Sequence, residues 1–236
     1  MHKVLEHLRG GLIVSCQPVI GGPMDRPDIV AAMALAALDG GAVALRIEGL
    51  KNVLAVRAVT SAPIIGLIKR DLDDSPIRIT PFVQDVRDLA AGGADIIAFD
   101  ATNRQRPSTL AELMAAVHDS NRLAMADCAT EADGRTARAL GAEILGSTMS
   151  GYTGGPVPQG PDLELVAALA LIGGFVVAEG RYHVPALAAQ AISAGADAVV
   201  AGSAITRTEH VTSWFVDAIG STLTGGKADD IRGAKE

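Results

Sequence analysis

Eight short apolar runs of strand length, each separated from the next by a longer segment of helical period, constrain the fold of this chain more than any other feature. They are Gly11–Pro18, Gly41–Glu48, Pro63–Lys69, Ala94–Thr102, Leu123–Ala129, Ala142–Thr148, Phe175–Glu179 and Ala196–Gly202. Their Val, Ile, Ala and Leu content is nearly continuous. That is the pattern of strands covered on both faces, and it implies a parallel sheet with crossover helices. The intervening segments predict helices over 25–38, 50–60, 81–91, 107–118, 131–139, 162–171, 185–193 and 209–219. Phrases such as Gly92-Gly93-Ala94-Asp95, Gly141-Ala142-Glu143 and Gly195-Ala196-Asp197 recur where a helix hands over to a strand. Glycine there accepts the left-handed conformation that ends a helix.

Eight β-then-α units favour a closed (β/α)8 TIM barrel, an α/β fold in a single domain, over an open doubly wound sheet. No GxGxxG follows the first strand, which weakens a dinucleotide fold further. The length of 236 residues is close to the roughly 250 of one such barrel. The barrel is expected over 1–221. Thr222 to Glu236 mix Gly, Lys, Asp and Arg without apolar period and are expected to form a flexible C-terminal tail.

Composition removes several classes of function. With 49% hydrophobic residues the chain is no disordered tail protein. Acidic residues outnumber basic ones by 27 to 20, for a net charge of −7, and no Lys/Arg run offers itself to nucleic acid. Gln17 and Pro18 interrupt the uncharged stretch from Gly10 to Met24, so it is not read as a secretory signal. The run Leu165 to Ala178 is broken by Gly173-Gly174 and is too short to span a bilayer. The expectation is a cytoplasmic protein with no membrane segment. Cys16 and Cys128 show no metal-ligand spacing, and the histidines form no HExxH pair, so no metal is expected.

In a (β/α)8 barrel the chemistry gathers where strands end. Here those ends carry Gln17, Arg46 and Glu48, Lys69, Asp100, Asp127, Thr148, Glu179 and Ser203 in turn. Isolated buried ions cost several kcal/mol each, so so many at equivalent positions point to a site. Gly180-Arg181 and Gly202-Ser203 place glycine just past strands 7 and 8, the usual phosphate position, and Arg207 adds a guanidinium. Lys69 closes the apolar run Pro63–Ile68 with Arg46 close by, and both surroundings depress a lysine pKa. Such an amine either takes a proton from carbon beside a carbonyl or forms a Schiff base. Glu179, on a strand across the barrel, supplies a second acid/base. Cys16 and Cys128 neighbour inward-facing residues, so they should point the other way and serve packing. His183 follows strand 7 and reads as a solvated loop residue.

These residues carry a family likeness. Ser15-Cys16-Gln17, Gly66-Leu67-Ile68-Lys69-Arg70-Asp71, the segment Ala94–Thr102 with Arg104 and Arg106-Pro107, Ala126-Asp127-Cys128, Ser150-Gly151-Tyr152-Thr153, Ala178-Glu179-Gly180-Arg181 and Gly202–Arg207 together resemble the N-acylglucosamine-6-phosphate 2-epimerases of sialic acid breakdown. The likeness runs from about Gly10 to Ile219. It implies a cofactor-independent isomerase acting on a phosphorylated N-acyl amino sugar, interconverting N-acetylmannosamine 6-phosphate and N-acetylglucosamine 6-phosphate. By the same likeness Lys69 and Glu179 correspond to the acid/base pair. Gln17, Arg46, Asp127 and Arg207 correspond to substrate contacts, and Gly180, Arg181, Gly202 and Ser203 to phosphate loops. Pro18-Val19-Ile20 and Val184-Pro185-Ala186 depart from the family's pattern and bear on two rim loops.

The mechanism expected is loss of the C2 proton beside the C1 aldehyde of the open-chain sugar, to an enolate that Arg46 and other donors stabilise, then reprotonation on the opposite face. The alternatives are a Schiff-base aldolase or lyase using Lys69, and a phosphosugar-binding barrel without catalysis. Trp214, the only tryptophan, lies beside Phe215 and close to Ile219, as barrel packing or an interface anchor. The resemblance favours a homodimer.

Overall fold

The computed structural model describes residues 3–154 and 156–229. Eight parallel strands follow one another in sequence order, and the last pairs with the first to close the barrel. They are β1 (Leu12–Cys16), β2 (Ala44–Glu48), β3 (Ile64–Leu67), β4 (Ile96–Asp100), β5 (Leu123–Asp127), β6 (Ile144–Gly146), β7 (Phe175–Glu179) and β8 (Ala198–Ala201). Each lies inside one of the eight apolar runs and is shorter than most of them, because the run's ends turn into loop.

The crossover helices are α2 (Pro27–Asp39), α3 (Leu50–Arg57), α4 (Val83–Ala91), α5 (Leu110–Asp119), α6 (Glu131–Ala139), α7 (Leu163–Ile172) and α8 (Pro185–Ser193). Local chemistry starts them. Pro27 and Pro185 occupy first-turn positions, where a missing N–H costs nothing. Thr109 and Thr130 cap α5 and α6, paired with Glu112 and Asp133 in capping boxes. Gly141 and Gly195, at φ +107° and +108°, make the helix-to-strand turns that side chains resist. One short element has no counterpart in the expected helices, α1 (Lys3–Leu8); α9 (Ser203–Thr206) follows directly on β8, at the Gly202-Ser203 turn expected to receive phosphate. α10 (Thr208–Asp229) continues past the boundary expected at 221, and the rest of the expected tail, 230–236, lies outside the described residues.

Strand alternation sorts the core into two layers. Val14, Cys16, Leu45, Ile47, Phe99, Leu145 and Val176 face outward against the helices. Ile13, Ala44, Ile65, Leu67, Ala98, Met125, Val177 and Val200 fill the barrel interior, which Leu5 and Leu8 of α1 plug. Counting two residues onward from the interior set gives Ser15, Arg46, Lys69, Asp100, Asp127 and Glu179, so the apolar filling hands over to a polar layer at the strand ends. Lys69 lies just past β3, where an isolated antiparallel bridge to Ile79 keeps its backbone strand-like.

Candidate active site

The polar layer has a buried floor. Arg46 is 1% exposed, and its Nη2 lies 2.7 Å from Asp127 Oδ2 while its Nη1 lies 2.8 Å from Glu179 Oε2. Nη1 also donates to Asp127 Oδ1 at 3.2 Å, whereas Nε is buried with no partner. Burial works against the charged guanidinium, but Asp127 and Glu179 outweigh it and raise the Arg46 pKa, so the group stays ionised. Neither Arg46 nor Asp127 lines the open cavity above. In this structure Asp127 and Glu179 engage the guanidinium through Nη1 and Nη2, beside the cavity that Glu179 lines.

Above the floor, Lys69 Nζ donates to Gln17 Oε1 at 2.7 Å, and Gln17 Nε2 donates to Ser15 Oγ at 2.9 Å, which fixes the orientation of the amide. Glu48 Oε1 accepts from the Lys69 backbone N–H at 3.2 Å. Burial lowers the Lys69 pKa, with further lowering from Arg46 and Arg207 against the opposing pull of Glu48 and Glu179. Glu179 moves the other way. Burial raises its pKa, Arg46 opposes that, and Asp127 adds to it. The two groups stand on opposite strands of the barrel, and their proton affinities are displaced toward each other, the arrangement acid/base catalysis requires.

A cavity of about 190 Å³ opens over them. Gln17, Lys69, Glu179, Gly180, Arg181, Gly202, Ser203 and Arg207 all line it, so eight of the ten expected site residues meet there. A second cavity of about 600 Å³ adjoins it, sharing Lys69, Thr148, Tyr152 and Arg207 and adding the apolar Val19, Ile20, Ile79 and Met149. At the β7 and β8 end, Gly180 has φ +116° and Arg181 φ +62°, a left-handed turn that only glycine enters without strain. The Arg181 guanidinium does not point freely into this space. Its Nε donates to Gly160 O and its Nη1 to Ser150 O, both at 2.6 Å, so the side chain pins the loop after β6. Arg207 Nε donates to Gln17 O at 2.8 Å.

Ser15, Tyr152 and Thr148 also line the cavity; of these, sequence reasoning placed only Thr148 at the strand ends, and gave it no specific role. The signal for Ser15 and Thr148 was the same two-residue parity that marks Arg46 and Glu179. His183 lines the cavity as well, and its ring lies 4.7 Å from that of Trp214. Cys16 and Cys128 are buried among outer-layer residues, as expected, and burial pushes the Cys16 thiol up to about 12. Among the described residues no cluster of three or more His, Cys, Asp or Glu could hold a metal ion, and no helix is long and apolar enough to cross a membrane.

Comparison with known proteins identifies the family. The profile of a family described as "Putative N-acetylmannosamine-6-phosphate epimerase" matches residues 30–221. Relatives named "Putative N-acetylmannosamine-6-phosphate 2-epimerase" include one from Salmonella agona (strain SL483), 60% identical over 89% of this chain and 92% of the relative. Another, from Actinobacillus pleuropneumoniae serotype 5b (strain L20), is 58% identical over 92% and 95%. Among solved structures, the N-acetylmannosamine-6-phosphate 2-epimerase from Clostridium perfringens superposes with a TM-score of 0.89 at 39% identity, over 92% of this chain and 96% of that one. A thiamine phosphate pyrophosphorylase from Pyrococcus furiosus, at TM-score 0.60 and 16% identity, shares the fold alone. On sequence and structure together, the chain belongs to the N-acetylmannosamine-6-phosphate epimerase family.

Proposed function

We propose that this protein interconverts N-acetylmannosamine 6-phosphate and N-acetylglucosamine 6-phosphate by proton transfer at C2 of the open-chain sugar. The observation that carries the proposal is the placement of Lys69 and Glu179 on one cavity, with burial lowering the amine's pKa and raising the carboxyl's. Two groups with converging proton affinities suit a reaction that must run both ways through one carbon. The phosphate belongs at Gly180, Arg181, Gly202 and Ser203, where backbone N–H groups at the strand ends meet an anion. Lys69 takes or returns the C2 proton. Glu179 serves the opposite face or the carbonyl oxygen. Arg207, which with Lys69 lines both cavities, adds a guanidinium to Arg46 for stabilising the charge that develops on the sugar's oxygen.

The test is proton NMR of the protein mixed with N-acetylmannosamine 6-phosphate. Appearance of N-acetylglucosamine 6-phosphate supports the proposal. A covalent adduct trapped by borohydride, with no interconversion, replaces it with Schiff-base chemistry at Lys69. Bound but unchanged sugar replaces it with a binding role.

The protein is proposed to work as a homodimer in the cytoplasm. Phe215, Val216 and Ile219 on α10 are 68%, 62% and 63% exposed, an apolar surface that a second copy would cover. Light scattering on the protein and on Phe215→Asp decides this: a dimer that the substitution splits supports it, and a monomer in both overturns it.

A further inference from the structure

Thr148 stands between two carboxyl groups. Two residues past Gly146, it brings Oγ1 to 2.7 Å from Asp127 Oδ1 and 3.1 Å from Glu179 Oε2. A hydroxyl has one hydrogen, so it donates to one of these oxygens at a time. When it donates to Asp127, its lone pairs face Glu179. That arrangement is tolerable beside a neutral carboxyl and repulsive beside a carboxylate. When Glu179 is ionised, the hydrogen gains most by turning to Oε2.

The surroundings hold the hydroxyl there. A Cβ on Gly146 would lie 3.1 Å from Thr148 Oγ1, 3.2 Å from Asp127 Oδ1 and 2.8 Å from Met125 Cε. The bare backbone at 146 is what lets the three groups meet. The charged groups facing Glu179 are Arg46 from β2, Asp127 from β5 and Lys69 from the end of β3. Arg46 Nη1 occupies Oε2 at 2.8 Å, and Oε1 makes no hydrogen bond among the described residues. Oε1 is thus the oxygen left to exchange a proton with a ligand.

We propose that Thr148 is a positioning residue whose hydroxyl hydrogen turns between Asp127 and Glu179, so that it bonds Glu179 when that group is ionised and Asp127 when Glu179 is neutral. In one direction Glu179 gives its proton from Oε1 to the substrate and becomes a carboxylate, and the Thr148 hydrogen rotates from Asp127 Oδ1 to Glu179 Oε2. In the reverse direction Oε1 takes a proton back and the hydrogen returns to Asp127. No bond to Thr148 breaks. The inference rests on the acid/base role proposed above for Glu179, but it concerns the free protein and is testable there.

The test is carbon NMR of protein labelled at the glutamate carboxyl carbon, titrated with pH, with Glu179→Gln assigning the resonance. Loss of the hydroxyl removes a bond that favours the carboxylate, so Thr148→Val raises the Glu179 midpoint by about one pH unit. Thr148→Ser restores it, and Thr148→Ala repeats the shift should valine prevent folding. In turnover, at the pH where wild type is half ionised, the direction in which Glu179 takes up a proton slows about five- to sixfold in Thr148→Val, as the ionised fraction falls from one half to about one eleventh, with KM kept within about twofold. A Glu179 midpoint unmoved in the hydroxyl-free variants overturns the proposal, and so does a serine variant shifted as far as valine. Wild-type protein that titrates as described but turns over no sugar overturns the functional reading alone.

Discussion

Replacing Arg46 by methionine tests whether the buried floor holds the site together. Its ion pair with Asp127 is sealed, with side chains 1% and 0% exposed, and Glu179 leans on the same guanidinium. Methionine keeps the stem's packing but leaves Asp127 as a buried anion with only neutral partners. Removing one member of such a pair costs about 3–5 kcal/mol, because the remaining charge is uncompensated. A domain of this size shifts by about 2–4 °C per kcal/mol, so Tm should fall by about 6–20 °C at pH 7. Arg135→Met breaks the exposed pair with Glu131, 64% and 47% exposed, and should cost under about 1 kcal/mol.

The pH dependence carries a sign. Glu179 already has a raised pKa, and losing Arg46 removes the main group holding it down. A carboxyl with a folded-state pKa above its unfolded value binds more protons when folded, so stability falls as pH rises through that window. The Arg46→Met deficit should therefore be largest near neutral pH and narrow as pH drops toward about 4. Differential scanning calorimetry between pH 4 and 8 measures it. A loss no greater than that of Arg135→Met, or one that widens in acid, would refute the reasoning.

Three other outcomes are expected. Lys69→Met should cut turnover by at least about 10²-fold while keeping or raising Tm at pH 7: burial lowers the lysine pKa, so the ammonium is held less favourably in the folded chain than in the unfolded one, and that penalty disappears with the amine; a drop of several degrees in a melting scan counts against this. Gly146→Ala forces a methyl against Met125 Cε and Thr148 Oγ1, and calorimetry should show about 1–3 kcal/mol lost, with activity assays showing a larger relative loss as Thr148 is displaced. Cys16 and Cys128 should resist a thiol reagent in the native protein and both react once it is denatured, since each is buried and burial holds both thiols protonated; rapid native labelling of either contradicts their packing role.

The barrel was legible because its rules are local. Continuous apolar runs, glycines at helix ends and a two-residue parity are all written in single segments, and they place Lys69, Glu179, Gln17 and the two glycine loops around one mouth. Depth was not legible. Parity says which face Arg46 occupies but not its height, which depends on how neighbouring strands register. Arg46 aligns with Ser15 on β1 and Ile65 on β3. Lys69 comes four residues beyond Ile65, about 13 Å further along the strand direction. The same alignment sinks Asp127 opposite Asp100 and Gly146. Arg181 escaped for another reason: its partners, Ser150 and Gly160, lie in a loop 31 and 21 residues upstream. α1 is too short at six residues to register as a period.

The central claim is that a buried amine at position 69 moves hydrogen at the sugar's second carbon. Running the reaction in heavy water and locating the label by NMR tests it most directly. The account predicts deuterium at C2 of the product and, at equilibrium, of the starting sugar, with no label introduced by Lys69→Met. Product formed with its original C2 hydrogen fully retained would contradict it.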